Sequence, residues 1–159
     1  MSVPPNIDRF NKAALLVFER LYQAFPVPIE LSTSKIAMDT LPQDATFDES
    51  FQSIEPVFYA IEFLRNEGFI EYGENLLDGT TFLRVRLTSK SLALLGRIPS
   101  VLEPQITVGY RISGLLKGGI KQVGSEAAKK AVELLFTHGA SVVSLGALAV
   151  NGGSDRPET

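Results

Sequence analysis

The chain has 159 residues, of which 45% are hydrophobic and 21% charged, and its formal net charge is −3. This composition is typical of a globular protein, and the negative charge argues against a surface built throughout for nucleic acid. The absence of cysteine excludes disulfides and thiolate metal sites. Residues 1–11 contain no apolar run, so we expect no secretory signal and a cytoplasmic location.

The character of the sequence changes at Pro104. Residues 1–103 hold 9 Lys and Arg against 14 Asp and Glu, whereas residues 104–151 hold 5 against 2 and are rich in Gly and Ala. This change predicts a globular domain over 1–103 and an amphipathic helical segment over 104–151. The polar residues 152–159 are predicted to form a disordered tail.

Three helices are predicted in the first 66 residues. A long helix, capped by Asn6 or Asp8 and ended by Pro26, follows from apolar residues at helical spacing. Those residues are Phe10, Ala14, Val17 and Leu21. A short helix is predicted over 32–38, where Ser32 or Thr33 can cap it, and a third over 54–66.

An antiparallel hairpin is predicted next, from two β-rich runs at 69–72 and 81–87. The residues between them include Asn75, Asp78 and Gly79, which favour turns. The second run alternates, with Phe82, Arg84 and Arg86 on one side and Thr81, Leu83, Val85 and Leu87 on the other. Thr88 can then cap a helix over 89–95.

This order, with FLRNEGFIEYGENLLDGTTFLRVRLTSKSLALL as its most telling stretch, resembles the winged-helix superfamily over residues 7–95. The fold class we expect is α+β, mostly α, with the β-hairpin as the wing and a C-terminal Gly/Ala-rich amphipathic helical segment after it. The resemblance implies that 54–66 is the third helix, the usual groove-reading element. It also places the tip of the wing within 72–82.

DNA binding by that third helix conflicts with its charge. The helix and the approach to it carry Arg65 and six carboxylates: Asp44, Asp48, Glu49, Glu55, Glu62 and Glu67. These would be repelled by phosphates. Candidate contacts to nucleic acid or to a partner are Arg65, Arg84, Arg86 and Lys90. The alternative is that the alternate arginines are the solvated face of a strand.

An apolar stripe at helical spacing runs through the C-terminal segment. It comprises Val108, Ile112, Leu115, Leu116, Ile120, Val123, Ala127, Ala131, Leu134 and Leu135. Five glycines lie within this stripe, at positions 109, 114, 118, 119 and 124, and each costs a helix about 1 kcal/mol relative to alanine. The segment therefore needs a surface to pack on.

Three surfaces are candidates for this packing: the chain's own first domain, a second copy of the chain, and a membrane. Gly114 and Gly118 have the spacing that allows close approach of helices. The candidate docking or self-association residues are Ile112, Gly114, Leu116, Gly118, Val123 and Leu134. Residues 131–150 are long enough to span a bilayer, but Glu133 and His138 count against spanning.

No catalytic, cofactor-binding or metal-binding residues are predicted. His138 is the single histidine, and the sequence contains no G-x-S-x-G motif. The run from Gly114 to Lys121 resembles a phosphate-binding loop, but Ile120 occupies the position where that loop requires lysine.

We therefore expect a non-enzymatic binding module, a protein-interaction or regulatory adaptor that docks or self-associates through its C-terminal segment. A homo-oligomer is the expected assembly. The alternatives are a DNA-binding transcriptional regulator that dimerises through that segment, and a membrane-associating effector that uses residues 104–150.

Overall fold

A computed structural model of the chain describes residues 3–41, 44–75, 80–96 and 107–137. They form a mostly helical α+β structure with a small antiparallel sheet. The helices are α1 (Pro5–Ala24), α2 (Thr33–Thr40), α3 (Phe47–Gln52), α4 (Ile54–Asn66), α5 (Ser89–Leu95), α6 (Val108–Leu115) and α7 (125–137). The strands are β1 (Ile29–Ser32), β2 (Ile70–Glu71), β3 (Glu74–Asn75) and β4 (Thr81–Leu87). Pro104, His138 and the tail 152–159 lie outside the described residues.

Helices α4 and α5 have the bounds that the sequence predicts, 54–66 and 89–95, and α2 lies one to two residues beyond its predicted range of 32–38. The Ser32 hydroxyl caps α2 by accepting the Lys35 N–H, and the Thr88 hydroxyl caps α5 by accepting the Ser91 N–H. The cap predicted for α1 is wrong. That helix begins earlier, at Pro5, because proline at the first helical position has no N–H to satisfy and a φ already suited to the helix.

Three elements are absent from the sequence prediction: β1, α3 and the two-residue strand β3, which lies where a turn was expected. The helix α3 is short, but it begins with a complete capping box. The Glu49 N–H donates to the Thr46 hydroxyl, and the Thr46 N–H donates to the Glu49 carboxylate, each over 3.1 Å. The Thr-x-x-Glu pattern was available in the sequence as a helix-start signal.

Strand β4 is the centre of the sheet, with β1 along one edge and β2 and β3 along the other. Against β1, Phe82 pairs with Leu31 and Val85 with Ile29, so two residues of β4 face one of β1. This is a β-bulge, and Arg84 within it has φ +58°. The predicted strict alternation along β4 is therefore wrong, because the bulge turns Phe82, Val85 and Leu87 all into the core.

Residues 107–137, the described part of the C-terminal segment, form two helices separated by a break, so the single continuous stripe predicted there is wrong. After α6 the chain turns at Gly119, whose φ of +96° suits glycine, and a 3₁₀ turn follows at Ile120–Gln122. The buried side chains of the segment are Val108, Ile112, Leu116, Ile120, Val123, Ala128, Val132 and Leu135. On α7 the prediction of Leu135 is confirmed, but the residues buried with it are Ala128 and Val132, whereas Ala127 is exposed and Ala131 and Leu134 are only partly buried.

The buried residues of both parts of the sequence belong to one hydrophobic cluster. Helix α6 approaches α1 and α5 closely at Gly109, where an added Cβ would lie 3.1 Å from the Leu95 carbonyl oxygen and 3.1 Å from the Tyr22 ring. On α7, the Phe136 ring stacks on the Phe69 ring with a centroid distance of 5.2 Å. The segment therefore packs on the helices and sheet that precede it.

Replacing Leu135 by alanine tests this shared core. Leu135 is fully buried, so Leu135→Ala should lower the free energy of unfolding of the whole chain by about 2–5 kcal/mol. Chemical denaturation followed by circular dichroism measures this loss. Lys129→Ala, at an exposed position of the same helix, is the matched control and should change stability by less than about 0.5 kcal/mol. An unchanged midpoint for Leu135→Ala would mean that α7 is not part of the core.

Candidate functional site

Three strongly exposed aromatic residues lie on α3 and α4, and a fourth, Tyr110, is 69% exposed on α6. Only Ser53, whose backbone angles are helical (φ −80°, ψ −12°), separates α3 from α4. Phe47, Phe51 and Tyr59 keep 81%, 66% and 61% of their surface exposed, and Glu55, between Phe51 and Tyr59 in sequence, is also exposed. The four residues recur every fourth position, and we call them the α3–α4 ridge.

The ridge combines apolar surface with negative charge. The Phe47 and Phe51 rings lie on neighbouring turns of α3 with centroids 6.4 Å apart. Asp48 is exposed beside them, and neither Asp48 nor Glu55 joins any of the three ion pairs among the described residues. Large exposed aromatic groups rimmed by charge are typical of protein-binding surfaces.

The four cations predicted to contact nucleic acid or a partner lie near the sheet and around the end of α4. Three of them contact their own chain. Arg86 pairs with Glu71 over 2.7 Å, the Lys90 ammonium lies 4.2 Å from the centroid of the Phe69 ring, and Arg65 lies over the ring of Tyr72 at 4.8 Å. The Lys90 ammonium also donates to the Glu67 carbonyl oxygen over 2.7 Å. These contacts compete with binding to an external phosphate.

Tyr72 connects the end of α4 to the sheet. Its hydroxyl donates to the Glu62 carboxylate over 2.9 Å. Burial raises the pKa of Tyr72 above its ordinary value, the hydrogen bond and the negative charge of Glu62 raise it further, and Arg65 opposes them. The hydroxyl therefore stays protonated as a donor well above neutral pH. This hydrogen bond joins α4 to the residues between β2 and β3. A tyrosine that stays protonated gives no indication of acid–base chemistry at neutral pH.

Arg84 is the fourth cation, and it lines a shallow groove with Pro28, Tyr72, Gly73 and Arg86. Its guanidinium group lies over Gly73, at the place where a side-chain Cβ would collide with it. It forms no ion pair within the described part of the chain. The groove mixes these cations with the Glu71 carboxylate, so it is not a strongly positive surface.

The predicted docking residues of the C-terminal segment divide into two groups. Ile112, Leu116 and Val123 are buried in the chain's own core, so they would have to leave that core to serve an oligomer. Leu134 is half-buried, while Gly114 and Gly118 are exposed. A role in self-association stays a prediction for these six positions.

Other kinds of site find no support in the described residues. They contain no group of three or more His, Asp or Glu side chains placed to hold a metal ion. Among the helices of those same ranges, none combines the length and the apolar character needed to cross a membrane.

Comparisons with protein-family models, with curated proteins and with solved structures found no match to this chain.

The sequence prediction missed the α3–α4 ridge because it missed α3. The acidic residues around Asp48 and Glu49 entered that prediction only as carboxylates that would repel phosphates, and the phenylalanines beside them had no role in it. The capping box at Thr46 and Glu49, followed by phenylalanines four residues apart, was the signal that could have located the ridge.

The positive φ of Arg84 in the bulge predicts different changes in the free energy of unfolding for two substitutions of this residue. A residue with a side chain costs about 1–2 kcal/mol in the left-handed region, and β-branched residues are the least suited to it. Arg84→Gly should therefore leave the free energy of unfolding unchanged or raise it by up to about 1 kcal/mol, whereas Arg84→Val should lower it by more than about 1 kcal/mol.

Chemical denaturation measures both changes. Arg86→Val is the matched control, because Arg86 lies two residues away on the same strand without a positive φ. It also removes the exposed ion pair with Glu71, and such pairs contribute about 0–1 kcal/mol, so it should lower stability by no more than about 1 kcal/mol. Equal losses of unfolding free energy for Arg84→Val and Arg86→Val would contradict the conclusion that the backbone at Arg84 is strained.

Proposed function

We propose that this chain is a non-enzymatic, winged-helix-like module that acts as a protein-interaction adaptor, with the α3–α4 ridge as its main contact surface. The partner we propose is a helix of another protein that presents apolar side chains with basic residues beside them. The exposed ridge is the observation that carries this proposal.

The order of the elements supports the winged-helix-like arrangement. Helix α1, strand β1 and helix α2 precede α4, and the strands β2 to β4 follow it. In this order α4 takes the place of the third helix and α3 is an additional turn before it. Winged-helix folds serve protein contacts as well as DNA contacts, so the function has to be argued from the surface.

The geometry of the ridge supports a helical partner. Side chains four residues apart form a ridge along a helix, and such ridges pack into the grooves of a second helix. Each large aromatic side chain can bury about 150–250 Å², so Phe47, Phe51 and Tyr59 supply much of the roughly 800 Å² that one partner contributes to a stable interface. Asp48 and Glu55 favour basic residues at the edge of that contact.

The placement of charge disfavours the DNA-binding alternative. The exposed side of α4 includes Glu55 beside Tyr59, which would meet phosphates of the same charge sign. Of the four candidate cations, Arg65, Arg86 and Lys90 contact their own chain. Any DNA binding should therefore be weak and sensitive to salt.

Site-specific photo-cross-linking in the cells that naturally make the protein tests the proposal. A photoreactive phenylalanine analogue at position 59 should give a discrete cross-linked protein species. The same analogue at position 27 should not, although Val27 is 62% exposed and Tyr59 is 61% exposed. Adding Phe47→Ser and Phe51→Ser should reduce the cross-link at position 59 at least about tenfold, the effect of losing 1.4 kcal/mol or more of binding.

Equal cross-linking at positions 27 and 59, or a cross-link that survives the two serine substitutions, would contradict the proposal. Fluorescence anisotropy with duplex DNA tests the alternative. Tight binding at physiological salt that persists after Arg84→Glu and Arg86→Glu would favour a DNA-binding regulator instead.

A further inference from the structure

The groove that contains Arg84 lies apart from the α3–α4 ridge and has the features of a ligand site. Arg84 and Arg86 line it from strand β4, where both side chains are exposed. Its volume is about 270 Å³, the space of roughly nine water molecules. The groove therefore has room for one side chain of a ligand.

Arg84 is held in a backbone conformation that stability alone does not favour. Its φ of +58° lies in the left-handed region, which disfavours residues that carry a Cβ. Glycine would avoid this cost, yet the chain has a long cationic side chain at the position. Strained residues of this kind are concentrated at functional sites. The strain at Arg84 thus points to a role of its side chain beyond folding.

Gly73 provides a fixed seat for the Arg84 guanidinium. The guanidinium lies against the Gly73 backbone, where any Cβ would collide with it. The Gly73 N–H donates to the Leu83 carbonyl oxygen over 2.8 Å, so the seat is itself tied to β4. No ion pair among the described residues involves Arg84. The fold therefore positions this guanidinium while no described carboxylate neutralises it.

The charges that line the groove favour a ligand group with one negative charge. Arg86 pairs with Glu71 over 2.7 Å, so the charges of these two residues cancel and Arg84 leaves one uncompensated positive charge. The planar guanidinium matches the two oxygens of a carboxylate. A polyanion such as DNA would need more cations and would meet the Glu71 carboxylate. The groove is thus suited to a single carboxylate.

A second groove adjoins this one, because Glu71 and Arg86 line both. Phe25 and Leu92 are among its other lining residues, and Leu92 is 36% exposed. The surface therefore changes from cationic at Arg84 to apolar at Leu92. An extended peptide can present an acidic and an apolar side chain to such a surface when the two are two residues apart, since side chains alternate along an extended chain.

We propose that the two grooves bind an extended segment of another protein in which an acidic residue lies two positions from a large apolar residue. The acidic side chain accepts hydrogen bonds from Arg84, and the apolar side chain packs against Phe25 and Leu92. This ligand is opposite in charge to the basic helix proposed for the α3–α4 ridge, and the inference does not depend on that ridge.

Titration of the full-length chain with a defined peptide tests this site. The probe is acetyl-Leu-Ala-Glu-Ala-Leu-amide, which has a leucine two residues to either side of its single carboxylate. The same peptide with glutamine in place of glutamate is the control. In NMR spectra of the arginine Nε–H groups, the glutamate peptide should shift the Arg84 signal saturably. The glutamine peptide should bind at least about tenfold more weakly, because the charge-assisted hydrogen bonds are lost.

Three substitutions, followed through backbone amide signals, test how the site binds the glutamate peptide. Arg84→Gly should weaken binding at least about tenfold without loss of thermal stability. Leu92→Ser should weaken it about threefold, because an apolar contact is lost. Arg9→Gln is the matched control, since Arg9 is an exposed arginine near the opposite end of α1 from the groove, and it should have no effect.

Gly73→Ala keeps the test valid if Arg84→Gly disturbs folding. Gly73 lies outside the left-handed region, so alanine is compatible with its backbone. The added methyl group should displace the guanidinium while the charge of Arg84 is retained. Binding of the glutamate peptide should then weaken at least about fivefold, because the hydrogen-bond donor is no longer held in place.

Several results would overturn the proposal. Equal affinity for the glutamate and glutamine peptides would show that the groove does not recognise a carboxylate. Full binding by Arg84→Gly would place the peptide elsewhere on the chain. Inorganic phosphate that binds at Arg84 more tightly than the glutamate peptide would assign the groove to a phosphorylated ligand. Unchanged affinity of Leu92→Ser would remove the apolar residue from the proposed motif.

Discussion

The stacking of Phe136 on Phe69 is the interaction on which the arrangement of the described helices and sheet depends. Phe69 lies just before β2 and is itself 4% exposed. It contacts the Phe18 ring of α1 edge-on at 5.6 Å, carries the Lys90 ammonium near its ring, and meets Phe136 of α7. One side chain thus joins the first helix, the sheet and the last described helix, and without Phe136 its ring would lose part of its cover.

This contact changes the meaning of the charge boundary in the sequence. The basic, glycine-rich character after Pro104 suggests a separate part, yet the buried apolar residues between Val108 and Leu135 belong to the same cluster as those of α1 and α4. The cost of the glycines explains the need for such packing. Helix α6 is only eight residues long, and short helices obtain most of their stability from tertiary contacts.

Sequence patterns were sufficient where one periodicity extended over a whole element. The helix over 54–66 was predictable for this reason, whereas the bounds of the strand over 81–87 and the caps at Ser32 and Thr88 were predictable from residue type. Sequence patterns gave a wrong prediction where a local backbone feature changed which residues of an element face the core. A bulge at Arg84 and a turn at Gly119 each shift which residues face the core, and neither has an unambiguous signal in a single sequence.

The candidate site was harder to predict than the fold. Charged residues stand out in a sequence, so Arg65, Arg84, Arg86 and Lys90 were the natural candidates, but their contacts within the chain depend on tertiary structure. The sequence identifies the aromatic residues of the α3–α4 ridge, but it does not show that they are exposed to solvent. Phe47 and Phe18 cannot be distinguished by residue type, although one is 81% exposed and the other fully buried.

The central claim is that α7 belongs to the same cooperative core as α1. Native-state hydrogen exchange tests this claim most directly. If α7 does belong to that core, the slowest amides around Leu135 should exchange with an opening free energy within about 1 kcal/mol of those around Phe18, because both then require global unfolding. Amides of α7 that open several kcal/mol more easily than those of α1, with no loss of protection in α1, would contradict the shared core.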